Sequence, residues 1–434
     1  MFNLSKSTWL LGALMICIIL PAYSQTGTGV IRGTVYDPAH SAIPAAKTVL
    51  THVATNTVRE SPSNAVGFFL FTALLPGDYK LDVEAAGFKK WAGSLTIVAG
   101  QTAVVEPTLA VGGVESIVEV TTAAPLINTE SSEVGSVKDN VRIQQLPLNG
   151  RSITTLFDLT PGVEGGSNPR INGMKVGSAD MTLDGVSLVD RFGGGMARVQ
   201  PGLDTVQEFR IETVGSSAQY SRPATVTIVT KSGTNQFHGA LFETLRSNGA
   251  GLRARMRQDG NTSAFLARNE FGASAGGPVL LPKLYDGRNR TFWFAAYEGL
   301  RQRQKSYYQD YVPTADMFAG NLSNITDANG TNYTLYDPLS TNASGLRTPF
   351  VNNTIPQSRQ SPFLATMQSV THAPTNSVNP YLGLNMQTYY PVKTDTNNLT
   401  IRGDHSFNEK NLLTFRFTHS RRAYTQTGGV YGAP

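Results

Sequence analysis

Among 434 residues there is one cysteine, Cys17, and it lies in an N-terminal apolar run. Disulfides and cysteine-ligated metals are therefore excluded from the chain beyond that run. Charge is also scarce: 15% of residues are Asp, Glu, Lys or Arg, and the net charge is only +5. Basic clusters stand at Arg253-Arg255-Arg257 and Arg301-Arg303-Lys305. Neither sits in a recognisable nucleic-acid module, so no nucleic-acid partner is expected. No long amphipathic helical pattern is present, and past the N-terminus no apolar run is long enough for a membrane helix. Any membrane crossing must then be made by strands, since only helices and closed barrels satisfy their backbone groups in lipid. Gly, Thr, Asn and Ser are plentiful, which favours a mainly β protein.

The N-terminus reads as an export signal. Lys6 precedes the apolar stretch Trp9 to Leu20, and Pro21-Ala22-Tyr23-Ser24 supplies small residues for cleavage after Ser24. A lipoprotein signal would need a small residue before its cysteine, and Ile16 stands there. Residues 1–24 are expected to be a cleaved signal peptide.

The strongest pattern lies near the other end. Leu399, Ile401, Gly403, His405 and Phe407 fall on one face, with Thr400, Arg402, Asp404 and Ser406 opposite. After the polar turn Asn408-Glu409-Lys410-Asn411, Leu413, Phe415, Phe417 and His419 alternate with Thr414, Arg416, Thr418 and Ser420. This is a hairpin with period-two alternation. It suits a transmembrane barrel, apolar to lipid and polar to the lumen, and it equally suits half of a soluble antiparallel sheet. Further strands are expected at Phe237 to Arg246, Glu270 to Leu280 and Thr291 to Gln302. The connectors between these strands alternate long, short, very long and tight, as they do between the two rims of a membrane barrel. Phe292-Trp293-Phe294 and Tyr297 would serve an interfacial girdle.

From about Gly29 to Ala110 short strands alternate with turns, at Val30 to Tyr36, Lys47 to Val53, Gly67 to Phe71, Tyr79 to Val83, Ser94 to Val98 and Thr102 to Leu109. That spacing suggests a small β-sandwich. Gly33-x-Val35-x-Asp37, Pro44-x-Ala46, Gly67-x-Phe69-x-Phe71, Leu74-x-Pro76-Gly77-x-Tyr79 and Ala86-Gly87-Phe88 also resemble the carboxypeptidase regulatory-like domain. The resemblance implies a transthyretin-like sandwich over residues 28–110, classed with carbohydrate-binding-like folds. No line of exposed aromatics marks a sugar platform, and Trp91 alone reads as packing.

The middle of the chain, residues 124–235, is turn-rich. Ile143 to Arg151, Thr160-Pro161-Gly162-Val163, Arg170-Ile171-Asn172-Gly173, Thr182-Leu183-Asp184-Gly185-Val186 and Val226 to Asn235 resemble the plug of TonB-dependent outer-membrane receptors, the Oar-like subfamily in particular. Gly239 to Glu243, Asn269 to Gly272, Gly276-Gly277-Pro278 and Phe294-x-x-Tyr297-Glu298-Gly299 match the start of that subfamily's barrel. Val312-Pro313-Thr314, Tyr336-Asp337-Pro338 and Asn353-x-Ile355-Pro356 match its long outer loop. The implied architecture is a β-sandwich, an α/β plug at 124–235 and, at 236–434, the first strands of an antiparallel transmembrane barrel. Such transporters have about 22 strands and about five are visible, so the barrel is expected to be incomplete and the chain a fragment. Tyr220 to Thr225 departs from the family's glycine-rich stretch, because Pro223 removes a donor and Ala224 disfavours positive φ.

Between sandwich and plug, the linker 111–123 contains Glu115-Ser116-Ile117-Val118-Glu119-Val120-Thr121. It resembles a TonB box, with Glu115, Ile117, Val118, Val120 and Thr121 as candidate partner-binding residues, and a plain linker strand fits as well. Such a segment is captured by adding it to a sheet edge, through backbone bonds. Arg191, Phe192 and Arg198, in a loop that differs from the family's usual Asn/Asp-rich one, are candidates to face a ligand.

Other motifs do not make an enzyme. Gly272-Ala273-Ser274-Ala275-Gly276 fits a nucleophile pattern, but that chemistry needs a strand-to-helix elbow and Gly277-Pro278 follows at once. The six histidines show no metal-ligand spacing. Asp327, Asn329 and Asn332 read as a polar turn before a calcium loop. No cofactor or metal is expected. The resemblance implies an outer-membrane receptor-transporter of a Gram-negative-type bacterium, a monomeric barrel when complete. It would be bathed in outer-membrane lipid, take up an unidentified extracellular ligand and be energised by a TonB-like periplasmic protein. The alternative is a secreted or surface-exposed carbohydrate-binding adhesin without transport activity.

Overall fold

The computed structural model describes residues 27–112, 118–120, 134–146, 148, 150–190, 192–196, 200–215, 220–249, 264–327, 329–409 and 411–426. The expected signal peptide and the candidate residues Glu115, Ile117, Thr121, Arg191 and Arg198 lie outside them. Two compact units are present: Met1–Leu241 with Ala273–Tyr297 and Asn398–Ser420, and Phe242–Gly272 with Glu298–Asn397 and Arg421–Pro434.

The first strands build a two-sheet sandwich. β1 (Gly29–Thr34), β4 (Phe68–Leu74) and β7 (Thr102–Val104) form one sheet, in the order β4-β1-β7. β2 (Lys47–His52), β3 (Thr57–Glu60), β5 (Gly77–Glu84), β6 (Trp91–Ile97) and β8 (Val118–Val120) form the other, in the order β3-β2-β5-β6-β8. Alternation along β5 sends Tyr79, Leu81 and Val83 inward to join Ile31, Leu50, Phe69, Phe71 and Leu109 in one core. Burial of each large apolar side chain contributes about 1.5–3 kcal/mol. Gly33 is obligatory in β1: a Cβ there would lie 1.7 Å from the Val105 carbonyl oxygen. Trp91 is buried in this core, as packing rather than as a sugar platform. Within the expected linker, Val118–Val120 pairs in parallel with Trp91–Gly93 at the end of this sheet's strand order.

A mixed sheet follows, made of β9 (Val134–Asp139), β12 (Ala179–Leu183), β13 (Val186–Ser187), β14 (Val206–Val214) and β15 (Ala224–Thr230), ordered β13-β12-β15-β14-β9. The helix α1 (Asn140–Gln145) is capped by Asp139, whose carboxylate accepts from the Arg142 amide at 2.8 Å. A separate ribbon pairs β10 (Val163–Glu164) with β11 (Arg170–Ile171). Ile143, Leu156, Phe157, Ile171, Phe209 and Ile228 close a second core, distinct from that of the sandwich. The departure at Tyr220 to Thr225 is resolved by Asp180. Its carboxylate accepts from the Ser221 and Arg222 amides at 2.7 and 3.1 Å, and β15 then enters fully buried.

The remaining strands form a five-stranded sheet in the order β16 (His238–Ser247), β17 (Leu266–Pro278), β20 (Thr291–Asp310), β21 (Met386–Asn408) and β22 (Asn411–Gln426). A small ribbon, β18 (Leu280–Leu281) with β19 (Tyr285–Asp286), occupies the short connector before β20. The expected alternation of long and short connectors is kept. The expected ends are corrected: β20 runs on to Asp310 and β21 begins at Met386, so the longest connector is shorter than Arg303 to Asn398. The added residues are polar and tied across the hairpin, as Arg303 is to Asp395 at 2.6 Å. Within the connector, Asn385 exchanges two 2.8 Å bonds with the backbone of Val312, and Asp337 holds Arg359 at 2.6 Å. Asp327 accepts from the amides of Asn329 and Thr331, a polar turn. The Gly272-to-Gly276 motif lies inside β17, with no helix after it.

The sense of the alternation decides between the two hairpin readings. Arg402 and Asp404 are each 3% exposed, whereas Phe407 is 63% and Phe415 61% exposed. A soluble sheet would bury the aromatic face. This one buries the charged face and turns the aromatics outward, the arrangement that lipid requires.

Candidate functional site

Those inward charges converge on the turn between β12 and β13. Asp184 occupies that turn with φ of 45°, and Gly185 follows at 84°. The carboxylate of Asp184 accepts from the amide and hydroxyl of Thr230 at 2.8 and 2.7 Å. On its other side lie two guanidinium groups of the barrel strands, Arg416 at 3.2 Å and Arg402 at 3.8 Å. Arg402 also forks onto Asp404, at 2.9 and 3.0 Å, and donates to the Thr230 carbonyl at 2.6 Å. Asp404 accepts two further bonds, from Ser232 at 2.6 Å and Thr414 at 2.8 Å. Arg416 reaches the Leu183 carbonyl at 3.2 Å. Two carboxylates thus face two guanidiniums, and each carboxylate accepts hydroxyl or amide bonds besides. Without that saturation, buried charges would be costly. The cluster fastens the central sheet to β21 and β22 through polar bonds that can be exchanged for water, whereas an interdigitated apolar interface could not be so exchanged.

The sandwich grips the same unit at two other points. Ala99, in the turn after β6, gives its amide to Glu208 at 2.8 Å, and its carbonyl accepts from Arg210 at 2.5 Å. Burial pushes the Glu208 carboxyl up to about 7, against the bond from Ala99 and the charge of Arg210, while Asp139 pushes it the same way as burial. At the second point, Asn235 donates to the carbonyls of Ala54 and Thr55, at 3.0 and 2.7 Å, and exchanges side-chain and amide bonds with Asn289.

A cavity of about 510 Å³ lies beside this second contact, lined in part by His52, Thr55, Tyr79, Asn289, Asp404 and Glu409. His52 is held by Thr55 at 2.7 Å, and burial brings its imidazole down to about 4, so it stays neutral at physiological pH. Burial likewise pushes the Tyr79 phenol up.

The expected site residues fare unevenly. Val118 and Val120 sit on β8, at the edge of the sandwich. Phe192 is fully exposed in a loop closed by the Gly194 amide on the Asp190 carbonyl; its neighbours Arg191 and Arg198 lie outside the described residues. Among the described residues, Phe192 bonds locally, its amide donating to the Asp190 carboxylate at 3.0 Å. The cluster itself was half visible in sequence. Arg402, Asp404 and Arg416 stand on the polar face of the hairpin, and Asp184 lies in the Thr182-to-Val186 turn motif, but no spacing rule joins residues so far apart.

Comparison with known proteins agrees with this geometry. Residues 229–434 match the outer membrane beta barrel domain, and residues 30–110 match the carboxypeptidase regulatory-like domain. The TonB-dependent transporter Oar of Myxococcus xanthus is 31% identical over 284 residues, 61% of this chain and 26% of that protein. The chain therefore spans about a quarter of the length of that relative. Among solved structures, a ferric enterobactin receptor from Pseudomonas aeruginosa, determined with enterobactin, aligns over 68% of this chain and 34% of its own, at 15% identity and a TM-score of 0.36. A catechol 1,2-dioxygenase from Acinetobacter aligns over 23% of this chain and 60% of its own, at 12% identity and a TM-score of 0.18.

The chain is an outer-membrane β-barrel protein that carries a carboxypeptidase regulatory-like sandwich ahead of its barrel strands. Within that class it is similar, over 61% of its length, to the TonB-dependent transporter Oar.

Proposed function

We propose that the chain serves energy-coupled uptake of an extracellular ligand across the outer membrane. Residues 124–235 act as a plug, the strands after residue 236 wall the lumen, and a TonB-type periplasmic protein pulls on the segment around Val118. Arg191, Phe192 and Arg198 are then candidates to meet the ligand, and the protein contributes no chemistry of its own. The observation that carries this reading is the Asp184–Arg402–Asp404–Arg416 cluster, a polar and exchangeable fastening on strands whose outer face is aromatic. A soluble adhesin would have no reason to turn Phe407, Phe415 and Phe417 outward.

The test uses the native outer membrane and a Cys17→Ser background. Thr227 is 3% exposed in the middle of β15, so a Thr227→Cys thiol should be inert to a membrane-impermeant maleimide at rest. With the TonB-type system intact and ligand-containing medium outside, labelling should rise severalfold, and an uncoupler should abolish the rise. Equal labelling with and without the proton gradient would refute energy-coupled plug movement.

A further inference from the structure

The basic cluster Arg301-Arg303-Lys305 takes no part in the fastening described above. Its spacing of two puts all three side chains on one face of β20. That face is the outward one. Phe292, Phe294 and Ala296 are buried on the inner side of β20, and the opposite series, Trp293, Ala295 and Tyr297, leads on to Arg301. Along β21 the face of Phe407, Ile401 and Leu399 likewise continues into Asp395 and Lys393, and on β22 that of Phe415 and Phe417 continues into Arg421. Arg301 donates to the Asn397 carboxamide at 2.7 Å, and Arg303 and Lys393 share the Asp395 carboxylate at 2.6 and 3.3 Å. Ser420 bonds Asn398 at 2.7 Å, so one residue further along these antiparallel strands Arg421 is the neighbour of Asn397. Arg301, Arg303, Lys305, Lys393 and Arg421 thus gather on one face around Asp395, with positive charge in excess.

This patch lies toward the end of the hairpin that carries the long connector between β20 and β21, and the tight turn between β21 and β22 is at the other end. Long connectors are extracellular in membrane barrels. Phe407 back to Leu399 is about nine residues, the length a tilted strand needs to cross the hydrocarbon core. Asp395 and Lys393 follow just past it, at headgroup height. We propose that this face binds the phosphate groups of the glycolipid headgroups in the outer leaflet. Guanidinium and ammonium groups are the side chains that pair with phosphate, the former through a two-point fork. Strand backbone spaces them here, and Asp395 and Asn397 orient them without cancelling their charge. The Phe271 ring lies 5.4 Å from the Arg301 guanidinium, an aromatic at the interface level where such rings favour the boundary between lipid and water. Headgroups held in this way would fix the depth of the hairpin in the membrane. The inference needs only the outer-membrane placement and is independent of energy coupling.

The test uses the full protein extracted from its outer membrane in a non-ionic detergent. It is titrated with bisphosphorylated lipid A, with the same lipid after dephosphorylation, and with inorganic phosphate, and bound molecules are counted by native mass spectrometry. The parent should bind the bisphosphorylated lipid about tenfold more tightly than the dephosphorylated one, and the preference should shrink as salt is raised. Lys305→Gln with Arg421→Gln, both at exposed positions, should remove the preference and leave binding of the dephosphorylated lipid unchanged. Lys305→Arg with Arg421→Lys keeps both charges and should keep the preference, which separates lost charge from a disturbed fold. Equal binding of the two lipids by the parent overturns the inference, as does a preference that survives in the glutamine pair. Inorganic phosphate bound as tightly as the lipid also overturns it, because the site would then serve a free anion.

Discussion

Arg402 shows how much a single side chain can be asked to satisfy. Its guanidinium faces Asp404 in a two-point fork, lies 3.8 Å from Asp184 and donates to the Thr230 carbonyl. Arg402→Met would leave the buried Asp404 without its counter-charge and Asp184 with Arg416 alone, a loss of about 3–5 kcal/mol. Arg402→Lys keeps the charge and loses the fork, so its loss should be smaller. The urea concentration at which the central sheet becomes protease-sensitive reads both. A Met variant as resistant as the parent would show that the cluster does not fasten the sheet. Part of this residue's role could be read from the sequence, since alternation puts Arg402 and Asp404 on the polar face of a strand. Which carboxylate meets the guanidinium from elsewhere in the chain could not, because it depends on the tertiary placement of the turn at Asp184. His405 illustrates the opposite case. Its place on the apolar face predicts packing, and it packs edge-on against Phe407, ring centroids 4.4 Å apart, while bonding Thr291.

Among elements, β14 does two jobs: it pairs with β9 and β15, and it sends Glu208 and Arg210 to Ala99. Glu208 titrates near 7 while docked, against an ordinary value of 4.5. The docked state thus binds the proton more tightly than the undocked or unfolded one. Its contribution is fully present below pH 4.5 and is lost as pH rises through 7, the fall amounting to roughly 3 kcal/mol at most. Glu208→Gln stays neutral and keeps an acceptor for the Ala99 amide, so it should remove this slope. Thermal melts of the two proteins at pH 6 and pH 8 check it. The parent should lose more stability than the variant on going to pH 8, and equal losses would mean that Glu208 is hydrated. At this scale, sequence legibility followed the hydrophobic period. Strand positions in the five-stranded sheet could be read wherever apolar residues alternate. The extensions of β20 to Asp310 and β21 from Met386 could not, because side chains there are polar on both faces. β8 escaped notice as a sandwich strand for a related reason: three residues show no periodicity, and parallel pairing with β6 leaves no turn signal.

At the scale of the molecule, the two cores differ in how self-sufficient they are. The sandwich core draws only on residues between Ile31 and Leu109, and its turns close on themselves, as when Asp37 accepts from the Ala39 and Ser41 amides. The core of the central sheet is equally apolar, but its polar rim is completed from outside. Asp184 is met by Arg402 and Arg416, and the Glu208 and Arg210 side chains by Ala99. A fragment of residues 27–112 should therefore fold alone with one cooperative transition. A fragment of residues 134–232 should melt well below the same region in the whole chain, because its rim groups lose their partners and only partly recover them from water. Supplying the sandwich should restore the Ala99 contacts alone and recover only part of the loss. If the isolated central fragment melts as high as it does in the intact chain, its rim contacts add nothing to the stability of the central sheet. The expected asymmetry makes the central sheet a part that softens when it is withdrawn from its seat. A plug stabilised wholly by its own core and held by exchangeable polar contacts can leave its seat without unfolding, whereas one whose stability is tied to those contacts is softened as it is withdrawn. The difference between the two melting temperatures measures which regime this protein occupies.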